Sequence, residues 1–167
     1  CVSSADVSDD LLKQLLYLFE RNMGDFYRKS TWGLDMVKKT EELQHRKARF
    51  LKAFASNENN DNELASFAHF RFDYDDEEEP TCTVLYVYEI QVETAYRRKG
   101  LGRRLMAIME SIARQTEMEK VVPTVFKVNE SAMNFYINSL GYSIDSFSPS
   151  KSGEPADYEI LSKSIDH

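Results

Sequence analysis

The sequence predicts a mixed α/β fold in a single domain, and three observations lead there. Apolar residues recur at helical spacing over 11–23 and again over 101–113. Over 65–74 apolar and polar residues alternate, as in a strand, whereas 83–92 is apolar and aromatic almost without a break, the mark of a central strand buried on both faces. The length of 167 residues gives room for one sizeable core and hardly for two.

The elements follow in order along the chain. Ser8, Asp9 and Asp10 suit a helix N-terminus. Behind them Leu11, Leu12, Leu15, Leu16, Phe19 and Met23 form an apolar stripe that continues toward Phe26 and Tyr27, with Gly24 as an expected weak point. A second, more polar helix is expected over 35–45, a strand over 48–55, and an Asn-rich loop over 56–62 that can join a hairpin. In the strand at 65–74, Ala68, Phe70, Phe72 and Tyr74 share one face, and Phe67, His69, Arg71 and Asp73 the other. After the strand at 83–92, Leu101, Leu105, Ile108, Met109, Ile112 and Ala113 mark a second long helix. A strand over 121–126 follows, then a short helix over 131–140 ending at Gly141, and a strand over 142–147. A Ser/Pro/Gly loop at 148–156 leads to a last strand at 158–165.

Composition narrows the function classes. The net charge is −7, from 28 acidic and 21 basic residues, which argues against a sequence-independent grip on nucleic acid. No apolar run approaches the roughly 20 residues of a membrane span. Two cysteines, Cys1 and Cys82, are too few for a disulfide framework or a zinc site, and a reducing, intracellular compartment is expected. His45, His69 and His167 are scattered singly, so no metal site is expected. Starting at Cys1 without methionine, the chain is expected to be trimmed at its N-terminus. Charge is unevenly spread: 73–79 holds six carboxylates in seven residues, and 97–104 five cations in eight. The acidic run suits either a solvated loop or a basic partner, and it lacks the glycine-containing spacing of a calcium loop.

The sharpest motif is a strand, then Arg97-x-x-Gly100-x-Gly102, then a helix. Backbone N–H groups at a helix N-terminus, with the positive end of the helix dipole, form an anion site. Glycines let the backbone approach a phosphate. Neither the dinucleotide fingerprint nor the nucleoside-triphosphate loop is present. A tight, solvated strand-to-helix turn is the alternative for this stretch taken alone. Pro123 lies in the strand at 121–126, and a proline cannot donate to a ladder, so it marks a place where neighbouring strands part.

Asn129-x-x-Ala132-x-x-Phe135-Tyr136-x-x-x-Leu140-Gly141-Tyr142 resembles the second half of the acyl-CoA site of the GNAT superfamily of N-acetyltransferases, and the stretch from Arg97 to Gly102 resembles the first. The resemblance implies the GNAT fold: a central mixed, twisted sheet of about six to seven strands with splayed central strands, flanked by helices. It implies acetyl-CoA as cofactor, with its pyrophosphate on Arg97, Arg98, Lys99, Gly100, Leu101, Gly102 and Arg103. Asn129 would contact the pantetheine side, and Ile90, Gln91 and Val92 would pair with the acetyl-pantetheine arm as an extra strand.

Six further segments read together resemble the N-alpha-acetyltransferase D family, which acetylates histone N-termini beginning Ser-Gly-Arg-Gly. They are Tyr27-x-x-x-x-Trp32-Gly33, Phe70-Arg71-Phe72-Asp73, Tyr86-x-Tyr88-Glu89-x-Gln91, the glycine loop, Thr124-Val125-Phe126-Lys127 and Tyr158-Glu159-Ile160-Leu161. By that resemblance Glu89 is the residue essential to catalysis. Tyr27, Trp32, Asp73, Tyr86, Tyr88, Thr124 and Tyr158 line the pocket for the substrate's first residues, with Asp75 as a further contact. The stretch between Asp73 and Tyr86 is longer and more acidic than the family's usual loop, which leaves Asp75, Asp76 and Glu77 as candidates for the second acidic role. Tyr136 stands where this branch carries phenylalanine and is given no general-acid role.

Residue chemistry fits such a reaction. An α-amine has a pKa of about 7.7–8.0, against about 10.4 for lysine, so a carboxylate or a water chain suffices as general base. No Cys or Ser sits in an activating context, and direct attack on the thioester in a ternary complex is expected, with backbone N–H groups beside Ile90 polarising the carbonyl. Strict alternation points Glu89 away from Tyr86 and Tyr88, so a shared pocket requires a bulge near Tyr88. The expected function is therefore N-terminal acetylation of a basic histone tail by a monomer in cytoplasm and nucleus, without direct nucleic-acid or membrane binding. A lysine or polyamine acetyltransferase, or a silent acyl-CoA or histone-tail binding module, are the alternatives.

Overall fold

The computed structural model describes residues 1–56, 62–75 and 82–166. Asp76, Glu77, the rest of the acidic run, most of the Asn-rich loop and His167 lie outside the described residues. Strand β1 is Val2–Ser3, helix α1 Asp9–Lys29, α2 Met36–Gln44, β2 Arg49–Ser56, β3 Asn62–Tyr74 and β4 Thr83–Val92. Helix α3 is Leu101–Gln115, β5 Lys120–Phe126, α4 Glu130–Asn134, β6 Ser143–Ile144, α5 Pro149–Ser152 and β7 Tyr158–Ser164. The strand order is β1-β2-β3-β4-β5-β7-β6, a seven-stranded mixed sheet accompanied by helices, as the sequence predicted. No helix among the described residues is long and apolar enough to cross a membrane.

The chain packs into two compact units, Cys1–Arg71 with Glu89–Met106, and Phe72–Tyr88 with Ala107–His167. In the first, α1 starts where Ser8 accepts the Leu11 N–H at 3.3 Å, behind Asp9 and Asp10. The helix runs unbroken through Gly24, which is buried. A β-carbon there would meet the Arg28 guanidinium at 2.9 Å, and that group crosses the site to reach Glu20 and Asp25. Asp35 caps α2 by accepting the N–H groups of Val37 and Lys38, both at 3.0 Å. Leu11, Leu15, Leu18, Phe19, Leu43, Ala48, Phe50, Leu64 and Phe67 form one cluster, and full burial of each large side chain contributes about 1.5–3 kcal/mol. Strands β2 and β3 pair antiparallel, with a register shift between Ala53 and Phe54.

In the second unit β4 and β5 pair in parallel from Val84↔Lys120 to Val87↔Pro123, and the described ladder ends on that proline. Strand β7 pairs antiparallel with β5 and with β6. Two expectations change here. The strand expected over 142–147 is only Ser143–Ile144, because the Asp145 carboxylate accepts the Phe147 N–H at 2.9 Å and turns the chain. The helix expected over 131–140 is α-helical only to Asn134, and Phe135–Ser139 widens into a π-turn around the buried Tyr136.

Candidate active site

In the first unit the site is built around Glu89. Apolar packing of α1, α2 and β3 leaves Glu89 and Lys39 only 5% and 6% exposed, an environment in which a lone charge is costly. They answer each other: the Lys39 ammonium donates to Glu89 Oε1 at 2.8 Å and to Glu42 Oε1 at 2.6 Å. It also lies 4.4 Å above the Phe19 ring and 5.5 Å above that of Tyr27. The second Glu89 oxygen accepts from Gln91 Nε2 at 2.6 Å, and Arg71 donates to the Glu42 carbonyl at 2.6 Å.

Charge states follow from this packing. Burial alone lowers the pKa of Lys39, but Glu89, Tyr27 and Glu42 outweigh it, so the ammonium is held charged beyond the usual lysine range. Burial, then Glu89, raises the Tyr27 phenol, which stays neutral. Burial raises the Glu42 carboxyl against the pull of Lys39. Fully buried His69, stacked on Phe50 with ring centroids 5.1 Å apart, is pushed down to about 3 by burial and by Arg71 and Lys39, so it is neutral.

Tyr27 and Trp32 meet edge to face at 5.9 Å; Tyr27 rests on the core through the Phe19 ring at 5.1 Å, and Trp32, 48% exposed, carries the aromatic shelf outward. Lys39, Glu42 and Asn22 were not singled out by the sequence. The available signal was register: Met36, Lys39 and Leu43 fall on one helical face, which sets a lysine among residues bound for the interior.

The glycine loop lies in the same unit. Arg98 and Gly100 have φ of 61° and 83°, and Leu101 then opens the 15-residue helix α3. A β-carbon on Gly100 would meet nothing within 4 Å, so the glycine answers the backbone angle and not a steric limit. A non-glycine residue at positive φ, such as Arg98, is uncommon and clusters at ligand sites. Gly102 sits in the first turn of α3, where N–H groups lack intrahelical partners, and Arg98, Lys99, Arg103 and Arg104 are exposed around it. This donor set fits a pyrophosphate. Arg97 is otherwise engaged: it donates to the Val92 carbonyl at 3.1 Å and to Asn22 Oδ1 at 2.6 Å. Asn22 Nδ2 donates in turn to Gln91 Oε1 at 3.0 Å and to the Val92 carbonyl at 3.2 Å. Ile90 lies on the partly exposed side of β4.

In the second unit the rings of Tyr86 and Tyr88 touch at 4.9 Å, and the Tyr86 hydroxyl bonds Thr124 on β5. Tyr158 pairs with Phe126 at the start of β7. Asp73 accepts the Tyr74 N–H, and Asp75 accepts both the N–H of Cys82 at 2.9 Å and its thiol at 3.3 Å. Burial and this carboxylate push the thiol up to about 11, which leaves it unreactive. Asn129 caps α4 through Ala132 N–H at 3.2 Å. Burial along β4 alternates without interruption from Leu85 to Val92, and the Glu89–Gln91 and Tyr86–Tyr88 contacts both join residues two apart. The alternation carries no sign of the bulge expected near Tyr88.

Comparison with known proteins agrees with this architecture. Residues 14–142 match the family described as "Acetyltransferase (GNAT) family". Among solved structures, Arabidopsis thaliana NAA60 in complex with a bisubstrate analogue superposes with a TM-score of 0.68 at 14% identity, covering 96% of this chain and 95% of that one. The ribosomal-protein-S18-alanine N-acetyltransferase from Escherichia coli gives 0.64 at 16%, covering 99% and 93%. An aminoglycoside 6'-N-acetyltransferase complexed with coenzyme A gives 0.65 at 15%, covering 99% and 97%. At such identities these structures speak to the fold. The family match spans most of the chain, and with the glycine loop ahead of α3 it leads to one conclusion: this chain belongs to the GNAT family and is an acetyl-CoA-dependent acetyltransferase.

Proposed function

We propose that the chain acetylates the N-terminal α-amine of a basic protein tail of the Ser-Gly-Arg-Gly type found on histones. The observation that carries this reading is Glu89, a carboxylate on β4 held by a buried cation in the unit that also holds the cofactor loop and the Tyr27–Trp32 shelf. The cofactor, when bound, supplies an activated thioester. The protein's own part is to hold an amine, relieve it of a proton and orient it. An α-amine is half deprotonated at a pH of about 7.7–8.0, so a fixed carboxylate, directly or through a water, suffices as proton acceptor. Trp32 and Tyr27 offer a face to the first residue, and Asp73 and Asp75 offer negative charge to a following arginine. Tyr86, Tyr88, Thr124 and Tyr158 are assigned to the substrate and Asn129 to the pantetheine, each open to single substitution. A histone substrate would set the monomeric enzyme to work in cytoplasm and nucleus.

The test is transfer of labelled acetyl from acetyl-CoA to a Ser-Gly-Arg-Gly-Lys peptide with its α-amine free or blocked. Transfer to the free amine alone, lost in Glu89→Gln, is the expected outcome. Transfer to the blocked peptide would overturn the α-amine assignment and move the target to lysine or a polyamine. Binding of both ligands without turnover would leave a silent binding module.

A further inference from the structure

The Lys39–Glu89 pair is an unusual use of the interior. A buried ion pair adds little net stability against an apolar pair of the same volume, yet removing one partner strands the other. Lys39 is also tied to Glu42 and seated over two aromatic rings, so its ammonium has no freedom to follow a moving carboxylate. With Gln91 on the other oxygen, Glu89 is fixed at both ends of its carboxyl plane.

We infer that Lys39 is the positioning residue for Glu89: from α2 it fixes the orientation of that carboxylate for the amine-acetylation step. The inference rests on the reading of Glu89 given above and adds a residue that does not itself touch substrate. The charged and titratable groups around the pair are Tyr27 from α1, Glu42 from α2, His69 and Arg71 from β3, and Glu89 itself from β4. His69 is neutral, and Arg71 is directed to the Glu42 carbonyl, so the cation bonded to the Glu89 carboxylate is Lys39. Without it the Oε1 end of the Glu89 carboxylate loses the donor that sets its orientation.

The experiment measures kcat and KM for the Ser-Gly-Arg-Gly-Lys peptide in wild type, Lys39→Met, Lys39→Arg and Glu89→Gln at a single pH. Lys39→Met is expected to lower kcat more than it alters KM. The fall in kcat should be about tenfold or more, as expected for a misplaced catalytic group. Lys39→Arg should restore most of the rate. The double variant Lys39→Met/Glu42→Gln, which keeps the charges of the cluster balanced, should show the same fall in kcat with KM little changed, and it answers for Lys39→Met should the single variant not fold. A folded Lys39→Met or double variant that keeps the wild-type kcat, or whose loss falls on KM alone, would overturn the inference, and the Glu89 reading would survive if Glu89→Gln is inactive. If Glu89→Gln keeps the wild-type rate, the reading of Glu89 itself fails and the inference with it.

Discussion

Each unit of the molecule buries a carboxylate, and the two are held in opposite ways. Glu89 is 5% exposed and Glu159 is 6% exposed. Glu89 takes its main partner from a lysine that is itself interior, under an exposed aromatic shelf. Glu159 takes the hydroxyls of Ser148 and Ser150, both at 2.6 Å, and Lys127 at 3.3 Å, a lysine whose side chain is 39% exposed. Ser148 then accepts the Ile160 N–H at 2.9 Å, so Glu159 closes the loop around α5 onto β7. Burial tends to raise the Glu159 carboxyl, but these donors outweigh it and hold it below the usual range. Depth alone therefore does not distinguish the carboxylate proposed as proton acceptor from a structural one. The distinction lies in whether its partners stitch chain segments together or hold a charge in place beside an open face.

Substituting both carboxylates gives the widest separation. Glu89→Gln is expected to cost about 10²–10⁴-fold in kcat, the span of a lost general base. Glu159→Gln should leave kcat close to wild type and lower stability to urea by about 1.5–3 kcal/mol, the worth of hydrogen bonds to a charged group. Equal effects of the two on kcat would erase the contrast.

Acid should trouble the first unit next. His69 has a pKa of about 3 in the folded chain against an ordinary value of 6.5. The unfolded chain therefore binds the proton first, and stability is lost as pH falls from 6.5 toward 3, by up to about 1.4 kcal/mol per unit. Glu42, raised by burial, acts in the opposite sense just above its unfolded value. The effect of His69 is best read as the difference between wild type and His69→Gln, whose urea midpoints should converge as the pH drops across this window.

The smallest expected effect is at the loop proposed to hold the cofactor. Gly100→Ala meets no steric obstacle, and the left-handed angle alone costs about 1–2 kcal/mol. It should raise KM for acetyl-CoA about tenfold and leave KM for the peptide unchanged. A change confined to the peptide would dissociate this loop from the cofactor.

The sequence was most legible where periodicity is local. The stripe of α1, the alternation of β3 and the glycine loop before α3 all depend on neighbours a few positions away, and the structure places them where expected. Lys39 and Glu42 were not legible, because a lysine and a glutamate three apart on a polar helix read as a solvated pair. Their meaning comes from Glu89, 50 positions later. Residues 142–147 failed for the converse reason: apolar alternation was present, but one aspartate able to bond the N–H two residues ahead ended the strand.

The contacts running from Arg97 to Glu89 have a direction. Arg97 donates to Asn22, Asn22 to Gln91, and Gln91 to Glu89, so both amides stand oxygen toward the guanidinium and nitrogen toward the carboxylate. Neither can turn over without setting like against like at both of its ends. Aligned in this way the amides polarise one another, and the chain has a polarity as fixed as that of a helix. Asn22→Asp or Gln91→Glu, each an exchange of one nitrogen for one oxygen, would break that polarity while leaving the shape of the interior almost untouched.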